Sequence, residues 1–148
     1  MNLVEATEAK VIYVASNIRR DDEIEVWLSH HVDGPTAVLE SWHASQLSAV
    51  IETEDGLPVG VTGVVGDRIW MLGTSELTAT TERRLHLCKK GRGWVQHCLD
   101  TVGAPIGNYV YAKNRRSIRW LRFLGFEVGT PQPYGPSAAL FRPFWKVI

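Results

Sequence analysis

The chain has 148 residues, the usual size of one domain with one hydrophobic core. Apolar residues make up 45% and charged residues 22%, which is typical of a soluble globular protein. No stretch approaches the ~20 apolar residues that span a membrane, and the acids Glu5 and Glu8 interrupt any signal peptide at the start. The sequence therefore predicts a single domain, residues 1–148, in the cytoplasm, and it excludes a membrane protein.

The net charge of zero hides a separation along the chain. Residues 1–60 carry three basic and eleven acidic groups, whereas residues 61–148 carry thirteen basic and five acidic groups. The second half could hold a polyanion and the first half a cationic substrate, or both sets of charged residues are solvated surface.

Cys88 and Cys98 fall in one predicted helix, about 15 Å apart, which is too far for a disulfide. No Cys/His cluster has zinc spacing, so we expect no metal.

The first predicted strand is 11–15, a run of β-branched and aromatic residues. A helix follows, because residues 21–23 place three acids where a helix first turn favours them. Its predicted apolar side consists of Ile24, Trp27 and Leu28. The pair 34–35, Gly-Pro, ends that helix, and residues 37–42 form a second short helix.

Three strands with clear turn residues come next. Strand 48–54 is followed by the hairpin signal Asp-Gly at 55–56, strand 57–65, a tight turn at 66–67 and strand 68–73. Short turns of this kind join antiparallel neighbours, so the sequence predicts a meander.

An amphipathic pattern of apolar residues then predicts a helix that reaches residue 102. Its start is open: it begins near Thr80 and tolerates two internal glycines, or it begins at Gly91. A strand at 108–112, a helix at 115–124 and a last strand at 138–142 complete the chain. The order predicts an α+β fold with a central, mostly antiparallel sheet and helices on both faces.

The most specific segment is 114–126, Asn-Arg-Arg-Ser-Ile-Arg-Trp-Leu-Arg-Phe-Leu-Gly-Phe. Asn114 suits a helix N-cap, and Gly125 suits the left-handed residue that ends a helix. Ile118, Leu121 and Leu124 form an apolar stripe along the helix. A helix with its two caps explains the segment without any ligand.

The same segment closely resembles the C-terminal motif of the GNAT superfamily of acyl-CoA N-acyltransferases. Asn114, Ser117, Ile118 and the run 124–126, Leu-Gly-Phe, fall in that family's register, and the order of elements agrees along nearly the entire chain. Residues 67–126 are most similar to small GNAT-like proteins of short-tailed bacteriophages called internal virion protein A. The resemblance implies a GNAT fold in which two neighbouring parallel strands splay apart.

The cofactor implied by the resemblance is acetyl-CoA or another acyl-CoA, with its pantetheine arm between strands 68–73 and 108–112. Backbone groups of Met71, Leu72 and Gly73 would pair with pantetheine amides. Asn114 and Ser117 would lie near the thiol.

The resemblance also implies a pyrophosphate site where the long helix begins, a position that free N–H groups and the helix dipole favour. The family's glycine-rich loop has no clear counterpart. We prefer residues 78–81, with cofactor contacts from Thr80, Thr81, Arg83 and Arg84. The alternative is 88–93, Cys-Lys-Lys-Gly-Arg-Gly.

The catalytic groups depart from the family pattern. Many members place a tyrosine seven residues after the motif asparagine, where it protonates the leaving thiolate, but this chain has Leu121 there. Candidate general bases are His43, Glu40 and Tyr111, each of which has a plain structural role as an alternative.

Two functions follow from the resemblance. One is transfer of an acetyl or similar group from CoA to an amine of a small molecule or protein. The other is a weakly active or inactive phage protein that binds a bacterial host protein or virion proteins, in the host cytoplasm or in the virion. A third possibility, nucleic-acid binding through Arg115, Arg119 and Arg122, has no recognised motif in its support.

Overall fold

The computed structural model describes residues 1–148. Its eight strands are β1 Asn2–Val4, β2 Leu47–Glu52, β3 Pro58–Val65, β4 Arg68–Gly73, β5 Ile106–Tyr111, β6 Glu127–Val128, β7 Gln132–Tyr134 and β8 Ala139–Lys146. They form one sheet in the order β1-β2-β3-β4-β5-β8-β6, and β7 pairs with β8. All neighbours are antiparallel except β4 and β5, which are parallel. The α+β fold class predicted from the sequence is confirmed.

Five helices cover the sheet: α1 Glu8–Ser16, α2 Arg20–His30, α3 Gly34–Ala44, α4 Thr81–Val102 and α5 Arg115–Phe123. Side chains of Thr7, Asp33, Thr80 and Asn114 accept a backbone N–H in the first turn of α1, α3, α4 and α5, respectively. A short 3-10 helix, Ser75–Thr78, precedes α4. No helix has both the length and the apolar character needed to cross a bilayer.

The helices divide between the two faces of the sheet. Helices α1 and α3 pack on β2, β3 and β4 through a cluster that includes Val14, Val38 and Val61. Helices α4 and α5 pack on β3, β4, β5 and β8 through a cluster that includes Leu99, Ile118 and Leu121. Since side chains alternate along a strand, Trp70 and Leu72 of β4 face α1 and α3, whereas Ile69 faces α4.

The prediction of a strand at 11–15 is wrong, because these residues form the centre of α1. Val11, Val14 and Ala15 are buried at the i, i+3, i+4 spacing of a helix, and Ile12 and Tyr13 are exposed. Packing of one helical stripe against α3 outweighs the strand preference of β-branched residues.

The apolar side predicted for α2 is also wrong. Trp27 is 53% exposed and Ile24 is exposed as well, while Asp22 is 3% exposed. The inward side of α2 therefore carries two acids, buried Asp22 and half-buried Glu25, beside Val26, which packs on the core. The Gly34-Pro35 pair begins α3, with the proline in the first turn, and α2 already ends at His30.

Candidate active site in the gap between strands β4 and β5

The parallel strands β4 and β5 pair at one end and then separate. Their one register pair is Arg68 with Gly107, where the Gly107 N–H donates to the Asp67 carbonyl at 3.0 Å. One residue further along, the Asn108 side chain donates to the Ile69 carbonyl at 3.0 Å in place of a backbone bond. Beyond this point β4 stays with β3 and β5 stays with β8, so a gap opens between them.

A cavity of about 450 Å³ follows this gap, with walls that are mostly apolar. Met71 and Leu72 line it from β4, Ser117 and Leu121 from α5, and Glu25 from α2. A volume of this size accommodates a small-molecule ligand or the arm of a larger one. Within the protein, no three His, Cys, Asp or Glu side chains lie close enough together to hold a metal ion.

The buried side of α2 closes part of the gap on the β4 side. The Asp22 carboxylate accepts the Gly73 N–H at 2.8 Å, and the Arg19 N–H donates to the Gly73 carbonyl at 2.8 Å. The Arg19 side chain forms an ion pair with Asp22 at 2.9 Å. Burial raises the pKa of Asp22, and the charge of Arg19 and the Gly73 hydrogen bond only partly offset it.

Glu25, one helical turn after Asp22, closes the gap on the β5 side. Its carboxylate accepts the N–H of Tyr111, the last residue of β5, at 2.6 Å. The pKa of Glu25 is raised to about 7. Burial is the main cause and nearby Asp22 adds to it, while the Tyr111 N–H, Arg19 and the Asn114 side chain lower the pKa and offset part of the rise. A carboxyl group with a pKa near neutrality can accept or release a proton at physiological pH.

The edge of β4 offers one free peptide unit to the gap. Thr74 donates its N–H to Val59 of β3 at 2.9 Å, so in this antiparallel ladder Leu72 also points its peptide groups at β3. The peptide groups of Met71 and Gly73 point at the gap. The Gly73 N–H is bonded to Asp22 of α2, and the Gly73 carbonyl is bonded to the N–H of Arg19, the residue before α2. Of the three residues predicted to pair with pantetheine, Met71 alone has gap-facing peptide groups that no loop or side chain bonds.

The long helix begins at Thr81, as the first of the two sequence alternatives predicts. Thr80 caps it by accepting the Arg83 N–H at 3.1 Å. The two arginines hold the preceding turn: Arg83 pairs with Glu76 at 2.6 Å, and Arg84 donates to the Thr78 carbonyl at 2.9 Å. The N–H groups at the start of the helix have no acceptor within it, which suits an anion.

The alternative phosphate loop at 88–93 is wrong, because these residues lie in the interior of α4, where backbone N–H groups bond within the helix. Gly91 instead allows α5 to approach: a Cβ there would lie 3.0 Å from Leu124 Cδ2 and 3.4 Å from Trp120 Cζ2. Arg92 lies over the Phe123 ring at 3.9 Å and donates to the Phe123 carbonyl.

The motif residues of α5 lie beside the gap. Asn114 caps the helix by accepting the Ser117 N–H at 3.3 Å. Leu121, at the position of the family's tyrosine, is 8% exposed and packs in the core with Ile118 and Leu124, as the predicted stripe requires. Its side chain also lines the cavity.

The three candidate bases are spread over the molecule. His43 is exposed on α3 against the Trp42 ring and does not line the cavity. Glu40 is exposed at the cavity wall, and the Tyr111 ring packs against Phe141.

Sequence reasoning missed Glu25 because it assigned the apolar side of α2 to the wrong residues. The available signal was the spacing of Asp22, Glu25, Val26 and Ser29, which puts two acids on one helix face.

A family described as "Bacteriophage T7, probable scaffold protein Gp13" matches residues 48–129, more than half of the chain. No curated protein sequence gives a significant match.

Three solved structures illustrate the similarity in fold. Spermidine N-acetyltransferase from Vibrio cholerae, in complex with CoA and spermine, is 8% identical in sequence with a TM-score of 0.70. The aligned residues cover 99% of this chain and 94% of the acetyltransferase chain. Ard1 from Thermoplasma volcanium is 13% identical with a TM-score of 0.69, covering 99% and 97%. Ribosomal-protein-alanine N-acetyltransferase from Brucella melitensis is 19% identical with a TM-score of 0.67, covering 100% of both chains. The chain therefore has the fold of the GNAT N-acetyltransferases.

Proposed function

The chain belongs to the family of the bacteriophage T7 probable scaffold protein Gp13, and we propose that it binds an acyl-CoA and transfers the acyl group, acetyl in the simplest case, to an amine. The acceptor is a small molecule or a protein. The observation that carries this proposal is the gap between β4 and β5, with Glu25 bonded across its end to Tyr111.

The residues of the gap fit the cofactor. The peptide groups of Met71 pair with the pantetheine amides, and Asn114 and Ser117 lie toward the thiol end. The N–H groups of Thr80 and Thr81 face the pyrophosphate, where Arg83 and Arg84 add positive charge. Each arginine also bonds to the turn before α4, so both are held close to that helix end.

An acyl-CoA supplies a thioester whose carbonyl carbon is open to attack by an amine. Glu25 takes the proton from the incoming ammonium, a role for which a pKa of about 7 is well placed. Glu40, at the wall of the same cavity, adds negative charge that attracts a cationic acceptor. The attacking nitrogen releases a second proton to solvent as the amide forms, and, with Leu121 in place of a proton donor, the leaving thiolate takes a proton from solvent. Orientation of the two reactants in the gap contributes the main part of the rate.

A second function is favoured by the bonds of α2. Asp22 and Glu25 already satisfy the N–H groups of Gly73 and Tyr111, so the gap is stable without a ligand. In this alternative the protein is a weakly active or inactive component of a phage assembly, in line with the word "scaffold" in the family's description and with the resemblance to internal virion protein A. Its partners are virion proteins or a host protein, in the host cytoplasm or the virion.

One pair of measurements separates the two functions. Calorimetric titration with acetyl-CoA tests binding, and release of free thiol with a panel of amines tests transfer. We expect binding that weakens with salt, because the phosphates are screened, and turnover that Glu25→Gln lowers by about 10²–10⁴-fold. Binding without turnover supports the assembly function, and the absence of binding at millimolar acetyl-CoA contradicts the proposed function.

The phosphate site has its own test. Arg84→Ala should weaken acetyl-CoA binding more than Arg92→Ala, because Arg84 lies in the first turn of α4 and Arg92 bonds to the end of α5. The two variants remove the same charge from the same helix, so each controls for the other. The reverse order of affinities would contradict the assignment of the phosphate site to the start of α4.

A further inference from the structure

The region from α4 through α5 is strongly basic. Residues 81–123 contain ten Lys and Arg residues but only two acids, Glu82 and Asp100. The net charge of this region is therefore +8, equal to that of the whole second half of the chain. The excess lies in the two helices on one face of the sheet and in the turn before α5.

Most of these cations have no acidic partner. Four ion pairs form in the protein, and the only one that involves this region joins Arg83 to Glu76. The cations that are exposed and form neither an ion pair nor a hydrogen bond are Lys89, Lys90, Lys113, Arg115, Arg116, Arg119 and Arg122. Unpaired like charges at this density attract polyanions.

The cations of α5 and of the turn before it form one surface, which we call the α5 basic face: Lys113, Arg115, Arg116, Arg119 and Arg122. This surface lies opposite the buried side of the helix, which Ile118 and Leu121 form. Lys90 of α4 is not part of it, because this residue lines the cavity. The 46% exposed Phe123 ring lies at the edge of the α5 basic face, where Arg92 contacts it.

Along α5 the arginines are regularly spaced. Arg115, Arg119 and Arg122 follow each other at i, i+4 and i+7, about 6 Å and 4.5 Å apart along the helix axis. A nucleic-acid strand carries one phosphate per ~3.4 Å of helix axis, and arginine binds phosphate with two parallel hydrogen bonds.

We infer that the α5 basic face binds the phosphate backbone of a nucleic acid without sequence specificity. The predominance of arginine favours a polyphosphate chain over an acidic protein, and the exposed Phe123 ring offers a surface on which a base can stack. This binding does not depend on the acyltransferase function, because none of the cations of the α5 basic face lines the gap.

The test is fluorescence anisotropy of a labelled 20-nucleotide single strand, measured between 50 and 300 mM salt. The variant replaces Arg115, Arg119 and Arg122 by alanine, which preserves the helix because alanine is a strong helix former. Each lost phosphate contact lowers the slope of log affinity against log salt by about 0.7 for a single strand. The triple variant should therefore lose about two units of slope and bind about 100-fold more weakly at 0.1 M salt.

The control variant removes three positive charges elsewhere, at Lys10, Arg20 and Arg68, and should keep the wild-type slope. The inference is overturned if the wild type does not bind at 50 mM salt, or if both triple variants weaken equally. Displacement of the strand by micromolar acetyl-CoA would also overturn it, since the surface would then be the cofactor's phosphate site. Binding of an acidic protein but not of the strand would assign the surface to a protein partner instead.

Discussion

Replacement of Glu25 by glutamine should change how the stability of the protein depends on pH. In the folded protein the pKa of Glu25 is raised from 4.5 to about 7, because the carboxylate is removed from water between α2 and β5. The folded state therefore holds this proton over a pH range in which the unfolded chain has released it. The stability contributed by the proton is fully present below about pH 4.5 and is lost as the pH rises through about 7.

A change of this size in pKa contributes at most about 3.4 kcal/mol to the free energy of unfolding. About 2.5 kcal/mol of this contribution is lost between pH 5 and pH 8. The Glu25 carboxylate is buried but the residue as a whole is half-buried, so solvent screening reduces the expected change in the free energy of unfolding to about 1–2.5 kcal/mol. Glutamine keeps an oxygen for the Tyr111 N–H but cannot ionise. Relative to wild type, Glu25→Gln should therefore gain about 1–2.5 kcal/mol of stability at pH 8 compared with pH 5.

Urea unfolding, followed by tryptophan fluorescence at the two pH values, measures this difference. Glu23→Gln is the matched control, since Glu23 lies on the same helix but is exposed, and it should leave the pH dependence of wild type unchanged. If Glu25→Gln shifts the free energy of unfolding equally at pH 5 and pH 8, the carboxylate is solvated and the proposed base loses its physical basis.

Four further substitutions test packing, three of them at residues that line the cavity and one at the exposed Gly93 of α4. Gly93→Ala should raise stability by about 0.5–1 kcal/mol in thermal unfolding, because an added Cβ meets nothing within 4 Å. Gly91→Ala should gain no stability or lose about 1–2 kcal/mol, because its Cβ would crowd α5. Equal effects of the two substitutions would contradict the close contact between α4 and α5. Asp22→Ala should cost about 3 kcal/mol in urea unfolding, because it leaves the Gly73 N–H and a buried cation unpaired; a loss below 1 kcal/mol would refute this. Leu121→Tyr should cost about 1–3 kcal/mol by overpacking, and thiol release measured on the folded fraction reveals whether the added hydroxyl raises turnover.

The elements that depend on local signals are those that the sequence predicts well. The hairpin residues at 55–56 and 66–67 divide the meander β2-β3-β4 close to its observed bounds, and β4 is predicted without error. Asn114 marks the beginning of α5, because an N-cap needs only a side-chain oxygen and the three residues that follow. Thr80 caps α4 at the first of the two starts that the sequence left open.

The errors occur where the neighbour of a segment decides its structure. The run 11–15 has strand propensity, but its burial against α3 makes it a helix. Gly91 resembles part of a phosphate loop by sequence, yet its lack of a side chain serves the contact with α5. Neither neighbour is close in sequence, so no local pattern could identify it.

The sequence by itself determined the order of elements from β2 to α5, the N-cap of α5 and the position of the motif that places the chain on a GNAT fold. Only the tertiary structure decided what the gap contains. Glu25 is 86 residues from Tyr111, and Asp22 is 51 residues from Gly73. A carboxylate becomes a buried, proton-holding group only when the fold removes it from water, and that depends on which distant strand it meets.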